Sequence, residues 1–351
     1  MKKLKIGYWP LSSNLKSAGD RRRVVFWAQA RGHELITDLS QRVDVVIASE
    51  KSDFNSPVFS RPKVPIIFDL VDAYLAPLNP LDDLARGIAK RLLGEISGEV
   101  KPFSHHIQNF CLLADGVICS SIEQEDGIRK YNSNTHVILD SHEEIPFIDV
   151  TFSEFQSRNE IRVLWEGQPA TIRGVRNVSS SLQKLSENNS LYFDFVTDEN
   201  YFQFLGKYVK RSTLSLLAKD LAEISSIISI TPWTLSNLIE VAKLSSLAMI
   251  PVDLSVPIQY LKPENRLLIM WRLGLPCLTS STPAYLRVSS KAGVSATCKD
   301  SETWFTSFIR LINDPKFAYN ETLKGQNYLR EFHTKNILLG KWDMAIESVM
   351  T

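Results

Sequence analysis

The chain repeats one pattern: a short, almost continuously apolar run that ends in small or polar residues and leads into a helix-patterned stretch. IGYW, VDVVIAS, VPIIFDL and GVICSS carry it in the first half, and RVLWEG, LYFDFVTD, LAMIPVD and LPCLTS in the second. Runs that are apolar at nearly every position suit strands covered on both faces, as in parallel sheets, and the intervening helices supply the crossovers. The pattern therefore predicts an α/β chain of two doubly wound, Rossmann-like domains. Glu143 to Glu160 mixes Pro, Phe, Ser and Glu without sustained periodicity and separates the halves. The expected organisation is an N-terminal domain over 1–145, a linker over 146–160, a C-terminal domain over 161–333 and a last helix over 334–351. With 351 residues there is length for two ordinary domains.

Several function classes fall away on composition. A net charge of +1 lacks the basic surplus of a generic nucleic-acid binder. No Gly-x-Gly-x-x-Gly follows the first strand, which argues against a dinucleotide-dependent dehydrogenase. Cys111, Cys119, Cys277 and Cys298 have no CxxC spacing and read as reduced, structural thiols of a cytoplasmic protein. The MKKLKIGYWP start has too short an apolar run for a signal peptide, and no run is long enough to span a membrane. His105-His106 does not read as a metal pair, because adjacent residues do not share a helix face. No metal or cofactor is expected.

The most informative stretch is KPENRLLIMWRLGLPCLTSSTPAY, from Lys262 to Tyr285. Pro263 suits a helix's first turn, Leu267, Leu268, Met270, Trp271 and Leu273 form its apolar face, and Gly274 suits its C-terminal cap. A buried strand follows, ending at Thr279 and Ser280. Free N–H groups at the helix start, with Lys262 beside them, suit a phosphate.

This string resembles the donor-binding segment of glycosyltransferases with two facing Rossmann-like domains, the GT-B fold, in the large retaining group often labelled family 1 or family 4. Lys262, Asn265, Arg266, Leu267, Leu268, Gly274 and Pro276 match the Lys-x-x-Asn-Lys/Arg-Leu-Leu…Gly-x-Pro pattern. The pattern's paired glutamates are missing: Leu261 and Ile269 stand in their places, with Glu264 nearby as a stand-in of different spacing.

The resemblance implies two domains facing across a cleft, with the nucleotide sugar held mainly by the second. It implies donor contacts from Gly19 in the first loop, Gly167 and Arg173 after the second domain's first strand, Trp233 at the base, and Lys262, Glu264, Asn265 and Arg266. The donor pyrophosphate would lie between Lys262 and the turn at Gly167. Arg21, Asp69 and His142 would lie on the acceptor side. Asp72 would be the catalytic base, although an aspartate there equally suits a helix cap. The implied activity is transfer of a sugar from a nucleotide diphosphate sugar to a glycan or lipid-linked hydroxyl acceptor, without a metal, in bacterial surface polysaccharide or glycoconjugate synthesis. The absent glutamates support an alternative: a non-catalytic sugar-nucleotide-binding protein, or an inactive partner subunit. Residues 201–224 read as a helix whose basic cluster, Lys207, Lys210 and Arg211, offers a peripheral contact at the inner membrane face.

Overall fold

A computed structural model describes residues 2–60, 64–156, 160–188, 191–203 and 209–350. The chain forms two compact units. The N-terminal unit comprises Met1–His142, Leu261–Pro263 and Thr334–Thr351, and the C-terminal unit comprises Glu143–Tyr260 and Glu264–His333.

The N-terminal unit holds a six-stranded parallel sheet. Its strands are β1 (Lys5–Trp9), β2 (Glu34–Ile36), β3 (Val45–Ser49), β4 (Ile66–Leu70), β5 (Gly116–Cys119) and β6 (Thr135–Val137). They run in the order β2-β1-β3-β4-β5-β6, so the topological reversal lies between β1 and β3. Strands β3, β4 and β5 are buried throughout, as their unbroken apolar character requires. One apolar cluster, built on Phe54, Phe68, Phe103 and Phe110, includes side chains of β3, β4 and β5. A second takes the alternate residues Val45, Ile47, Ile67 and Ile118 with Trp27 and the C-terminal helix Lys335–Met350. Trp342 of that helix stacks on Trp27 with ring centroids 5.6 Å apart.

The C-terminal unit holds a second six-stranded parallel sheet. Its strands are β7 (Ile161–Glu166), β8 (Leu191–Val196), β11 (Ile228–Thr231), β12 (Leu247–Ile250), β13 (Cys277–Ser280) and β14 (Thr297–Cys298), in the order β11-β8-β7-β12-β13-β14. This is the dinucleotide-fold order, with its reversal between β7 and β12. The core is built on Trp165, Phe193, Phe195, Trp304 and Phe308.

Two local expectations are corrected. Residues 201–224 are not one helix. β9 (Asn200–Gln203) and β10 (Val209–Ser212) form an antiparallel hairpin, followed by a helix over Thr213–Asp220 and a 3-10 helix over Ala222–Ile227. Lys210 and Arg211 therefore sit on a strand, while Lys207 lies outside the described residues. The stretch read as linker also carries structure. Phe152–Gln156 is helical, and buried Phe155 packs edge-on against Tyr319, with centroids 5.7 Å apart. Phe152 meets the same ring, so two aromatic anchors dock a segment whose overall composition is linker-like. Among the described residues, no helix is long and apolar enough to cross a membrane.

Candidate functional site

Ligands of doubly wound sheets bind beyond the carboxyl ends of the strands, at the reversal of strand order. Each unit has one such edge.

In the C-terminal unit that edge lies where β7 exits into Glu166 and Gly167. Gly167 permits a close approach: a Cβ there would lie 2.9 Å from Thr171 Oγ1, 3.1 Å from Arg266 Nη2 and 3.2 Å from the Trp165 ring. The Glu166 carboxylate accepts a hydrogen bond from Trp233 Nε1 at 2.9 Å and faces Arg266 Nε at 3.5 Å. The Arg266 guanidinium lies over the Trp165 ring, 5.5 Å from its centroid. Gly167, Trp233 and Arg266 are thus gathered around one carboxylate. Arg266 sits in the first turn of the helix Asn265–Arg272, which is held by five buried residues from Leu267 to Trp271. Arg266 Nε and Nη2, Trp165 Nε1, Asn265 Oδ1 and Thr197 Oγ1, just past β8, are buried and make no hydrogen bond. Leaving such a group unsatisfied costs about 1–3 kcal/mol. A group of them at the reversal point is therefore suited to a polar ligand.

Arg173, at the start of a short helix after Gly167, is exposed. Glu264, the nearby stand-in carboxylate, is engaged by an arginine of its own unit. It is buried and bonded by Arg287 Nη1 and Nη2 at 3.2 and 3.3 Å. Ile269, at one missing-glutamate position, is part of the buried core.

In the N-terminal unit the corresponding edge is internally bonded. Buried Asp20 accepts from Tyr8 Oη at 2.6 Å, Leu11 N at 2.8 Å, Ser12 N at 2.9 Å, Ser12 Oγ at 2.6 Å and Ser17 Oγ at 2.7 Å. These bonds fold the first loop onto itself. A Cβ on Gly19 would lie 2.3 Å from Leu11 Cδ1, so this glycine makes room for the loop's own leucine. Of the three consecutive arginines, Arg21 donates from Nε to the Lys16 carbonyl at 3.2 Å. Arg23 is turned into the core, where it bonds Asp69 (2.5 Å), Asp140 (3.2 Å) and the Ile138 carbonyl (2.7 Å). Asp69 is buried, and burial raises its pKa against the pull of Arg23. It is a structural counter-ion. His142 is buried at the end of the same unit.

Asp72 is different. Its carboxylate lies 3.5 Å from Lys262 Nζ, and both side chains are about one-third to one-half exposed. It is not a helix cap. The next helix, Pro80–Leu92, is capped by Asn79, whose side chain accepts from Leu81 N. The Asp72 backbone is clamped instead: its N–H donates to Glu50 Oε2 at 3.1 Å and its carbonyl accepts from Gln124 Nε2 at 2.9 Å. Ser121 Oγ holds the neighbouring Leu261 carbonyl at 3.2 Å. Glu50 is buried directly beyond β3. Burial, with the Asp72 charge next in weight, pushes its carboxyl well above the usual range, to about 8. A buried carboxylic acid thus sits beside an accessible carboxylate.

Sequence reasoning missed Glu50 and Glu166. Each stands at the carboxyl end of a strand, in ASE and WEG, where ligands of doubly wound sheets bind. Among the described residues, no group of three or more His, Cys, Asp or Glu is arranged to hold a metal ion.

No protein-family model matches the chain, and comparison with curated proteins finds no match. Solved structures do match. TarM shares 11% identity at a TM-score of 0.59, with 86% of this chain and 54% of TarM covered. The chain thus spans about half the length of TarM. Sucrose-phosphate synthase from Thermosynechococcus elongatus shares 10% identity at 0.61, covering 97% and 80%. WaaG, a glycosyltransferase involved in lipopolysaccharide biosynthesis, shares 11% at 0.58, covering 97% and 98%. The fold is that of the GT-B glycosyltransferases.

Proposed function

We propose that the protein is a glycosyltransferase that moves a sugar from a nucleotide diphosphate sugar to a hydroxyl acceptor. The observation that carries this reading is the group of unsatisfied buried donors at the C-terminal unit's reversal point, Arg266 Nε and Nη2 with Trp165 Nε1, beside the close-approach glycine Gly167. An arginine fork and a glycine turn suit a diphosphate, and Trp233, at the exit of β11, supplies aromatic surface for a nucleoside. A mutant of S. aureus TarM was solved in complex with fondaparinux, alpha-GlcNAc-glycerol and UDP. That complex supports a nucleotide and a glycan-type acceptor for this chain; the nucleotide site in the C-terminal unit and the setting in surface polysaccharide or glycoconjugate synthesis follow from the resemblance.

In transfer, the acceptor oxygen bonds to the anomeric carbon, the bond from that carbon to the diphosphate breaks, and the acceptor proton needs a base. Negative charge grows on the leaving diphosphate, so fixed cations such as Arg266, with Arg173 as a mobile second, lower the barrier. Asp72 is the proton acceptor in this reading, with Lys262 beside it to fix the position of its carboxylate. Glu50 holds the loop that presents it.

The non-catalytic alternative is favoured by one observation: Ile269 packs in the core where the resemblance expects a carboxylate. The deciding experiment is thermal shift of the full chain against UDP, GDP, dTDP, ADP and CMP, followed by turnover of the matching nucleotide sugar. A shift with release of the free nucleoside diphosphate supports the transferase. A shift without turnover supports a binding protein, and no shift with any nucleotide overturns both.

A further inference from the structure

An ordinary surface helix buries its apolar stripe and shows its charges to water. The helix Pro80–Leu92 does the reverse. Leu81 is 75% exposed, Leu84 37%, Ile88 41% and Leu92 78%. Their spacing places them on one face, with exposed Ala85 among them. The opposite face, with Asp83, Arg86 and Lys90, is the packed one, while Asp82 and Arg91 flank the stripe and are exposed. Asp83 is buried and accepts from Ser104 N at 3.0 Å. Lys90 bonds Glu95 at 2.8 Å and lies 4.6 Å from the Phe103 centroid. Arg86 lies over the Tyr74 ring at 5.3 Å. Gly87 fixes the orientation, because a Cβ there would lie 1.9 Å from the Lys101 carbonyl oxygen. Turning the stripe inward would break all of these contacts.

We propose that this outward face docks on an anionic lipid bilayer. The stripe is wholly aliphatic. It has none of the aromatic anchors on which protein interfaces centre and no group that could hydrogen-bond a partner. It forms a helical ridge about 20 Å long, suited to lie in the interfacial plane of a bilayer. The charges near its C-terminal end favour anionic headgroups. Arg91 is exposed beside the stripe and has no carboxylate partner among the described residues. Lys51 and Lys101, 46% and 42% exposed, pair with Glu95 and Glu99, so those carboxylates are offset and Arg91 supplies the unbalanced positive charge. The basic hairpin strand carrying Lys210 and Arg211 offers no comparable apolar stripe. Tyr74, which Arg86 covers, belongs to the loop that follows Asp72. A bilayer held by this helix therefore favours a lipid-borne acceptor, a corollary that rests on the transferase reading, whereas the docking does not.

The test is co-sedimentation of the full chain, without nucleotide or acceptor, with phosphatidylcholine vesicles made with and without phosphatidylglycerol. Wild type is expected to sediment with the anionic vesicles. Combined Leu81→Ser, Leu84→Ser, Ile88→Ser and Leu92→Ser is expected to weaken partitioning by about tenfold or more, with no loss of melting temperature. Arg91→Glu should weaken binding to the anionic vesicles alone. Wild type left in solution with both vesicle types overturns the proposal. So does equal sedimentation of the four-serine variant, or a dimer on size exclusion that those serines dissolve without any vesicle binding. Because no donor is present, failure here leaves the nucleotide reading untouched, and a failed nucleotide panel leaves the docking untouched.

Discussion

At the carboxyl edge of the N-terminal sheet, Arg23 is enclosed by Asp69, Asp140 and the Ile138 carbonyl, and Asp20 gathers its loop with five hydrogen bonds. At the carboxyl edge of the C-terminal sheet, Arg266 has one carboxylate at 3.5 Å and two nitrogens without a hydrogen bond. Both arginines stand near the start of a helix that follows a strand of a parallel sheet. One has its polar partners within the chain, so it stabilises the fold. The other keeps donors unspent, so it is available to a ligand. The difference shows that an arginine in a loop-to-helix position says nothing about binding until its partners are counted.

The largest effect should come from breaking the enclosed side. Arg23→Met leaves Asp69 buried without its counter-ion, and removing one partner of a buried pair costs about 3–5 kcal/mol. Urea unfolding followed by circular dichroism is expected to show a loss of that size. Adding Asp69→Leu should recover part of it, because the orphaned charge leaves as well. A single variant that unfolds like wild type would show that the pair is not structural.

Arg266→Ala sharpens the other side. It is expected to weaken binding of the nucleoside diphosphate found by thermal shift by about 10- to 100-fold, or about 1.4–2.8 kcal/mol, with little change in stability. Arg173→Ala, at an exposed position, should weaken it less. Equal effects of the two substitutions would remove the distinction between a built site and a surface charge.

Much of this was legible in the chain. The eight apolar runs announced eight parallel strands, and all eight are present, four in each sheet of six. The grouping of Gly167, Trp233 and Arg266 is tertiary, yet each stands just past a strand or at a helix start, where loop positions are readable. Other fates were not legible. No local signal separates Arg23 from Arg21, because what decides is Asp69 and Asp140, 46 and 117 residues away. Glu264 was hidden in the same way by Arg287. The 201–224 stretch was misread because its helical composition yields to a hairpin pairing that propensity does not report.

A third test concerns the carboxyl pair. Glu50 has a folded pKa raised from 4.5 to about 8, so between those values the folded state holds a proton that the unfolded state has released. Stability therefore falls as pH rises through that window, and the contribution is fully present only below about 4.5. The groups acting on it are Asp72 and Asp69, which raise the value, and Lys90, which lowers it. Glu50→Gln keeps an acceptor for the Asp72 N–H and removes the titration. Melting temperature against pH is expected to fall less steeply from pH 5 to 8 in the variant, and parallel curves would show that Glu50 is ionised throughout.

The smallest effect belongs to Lys262 and Asp72, which lie between the two extremes of the comparison. Their pair is 3.5 Å long with both side chains partly open to water. Pairs of that kind contribute about 0–1 kcal/mol. Lys262→Ala should therefore leave the melting temperature nearly unchanged, and 0.5 M salt should weaken whatever contribution exists. The informative readout is the rate of sugar transfer. If Lys262 positions the Asp72 carboxylate for proton transfer, Lys262→Ala lowers kcat and Lys262→Arg restores most of it, at unchanged melting temperature. If the lysine serves only to hold the 261–263 segment within the N-terminal unit, the two variants will differ in stability and not in kcat. The second outcome would move Lys262 to the side of Arg23, as part of the scaffold.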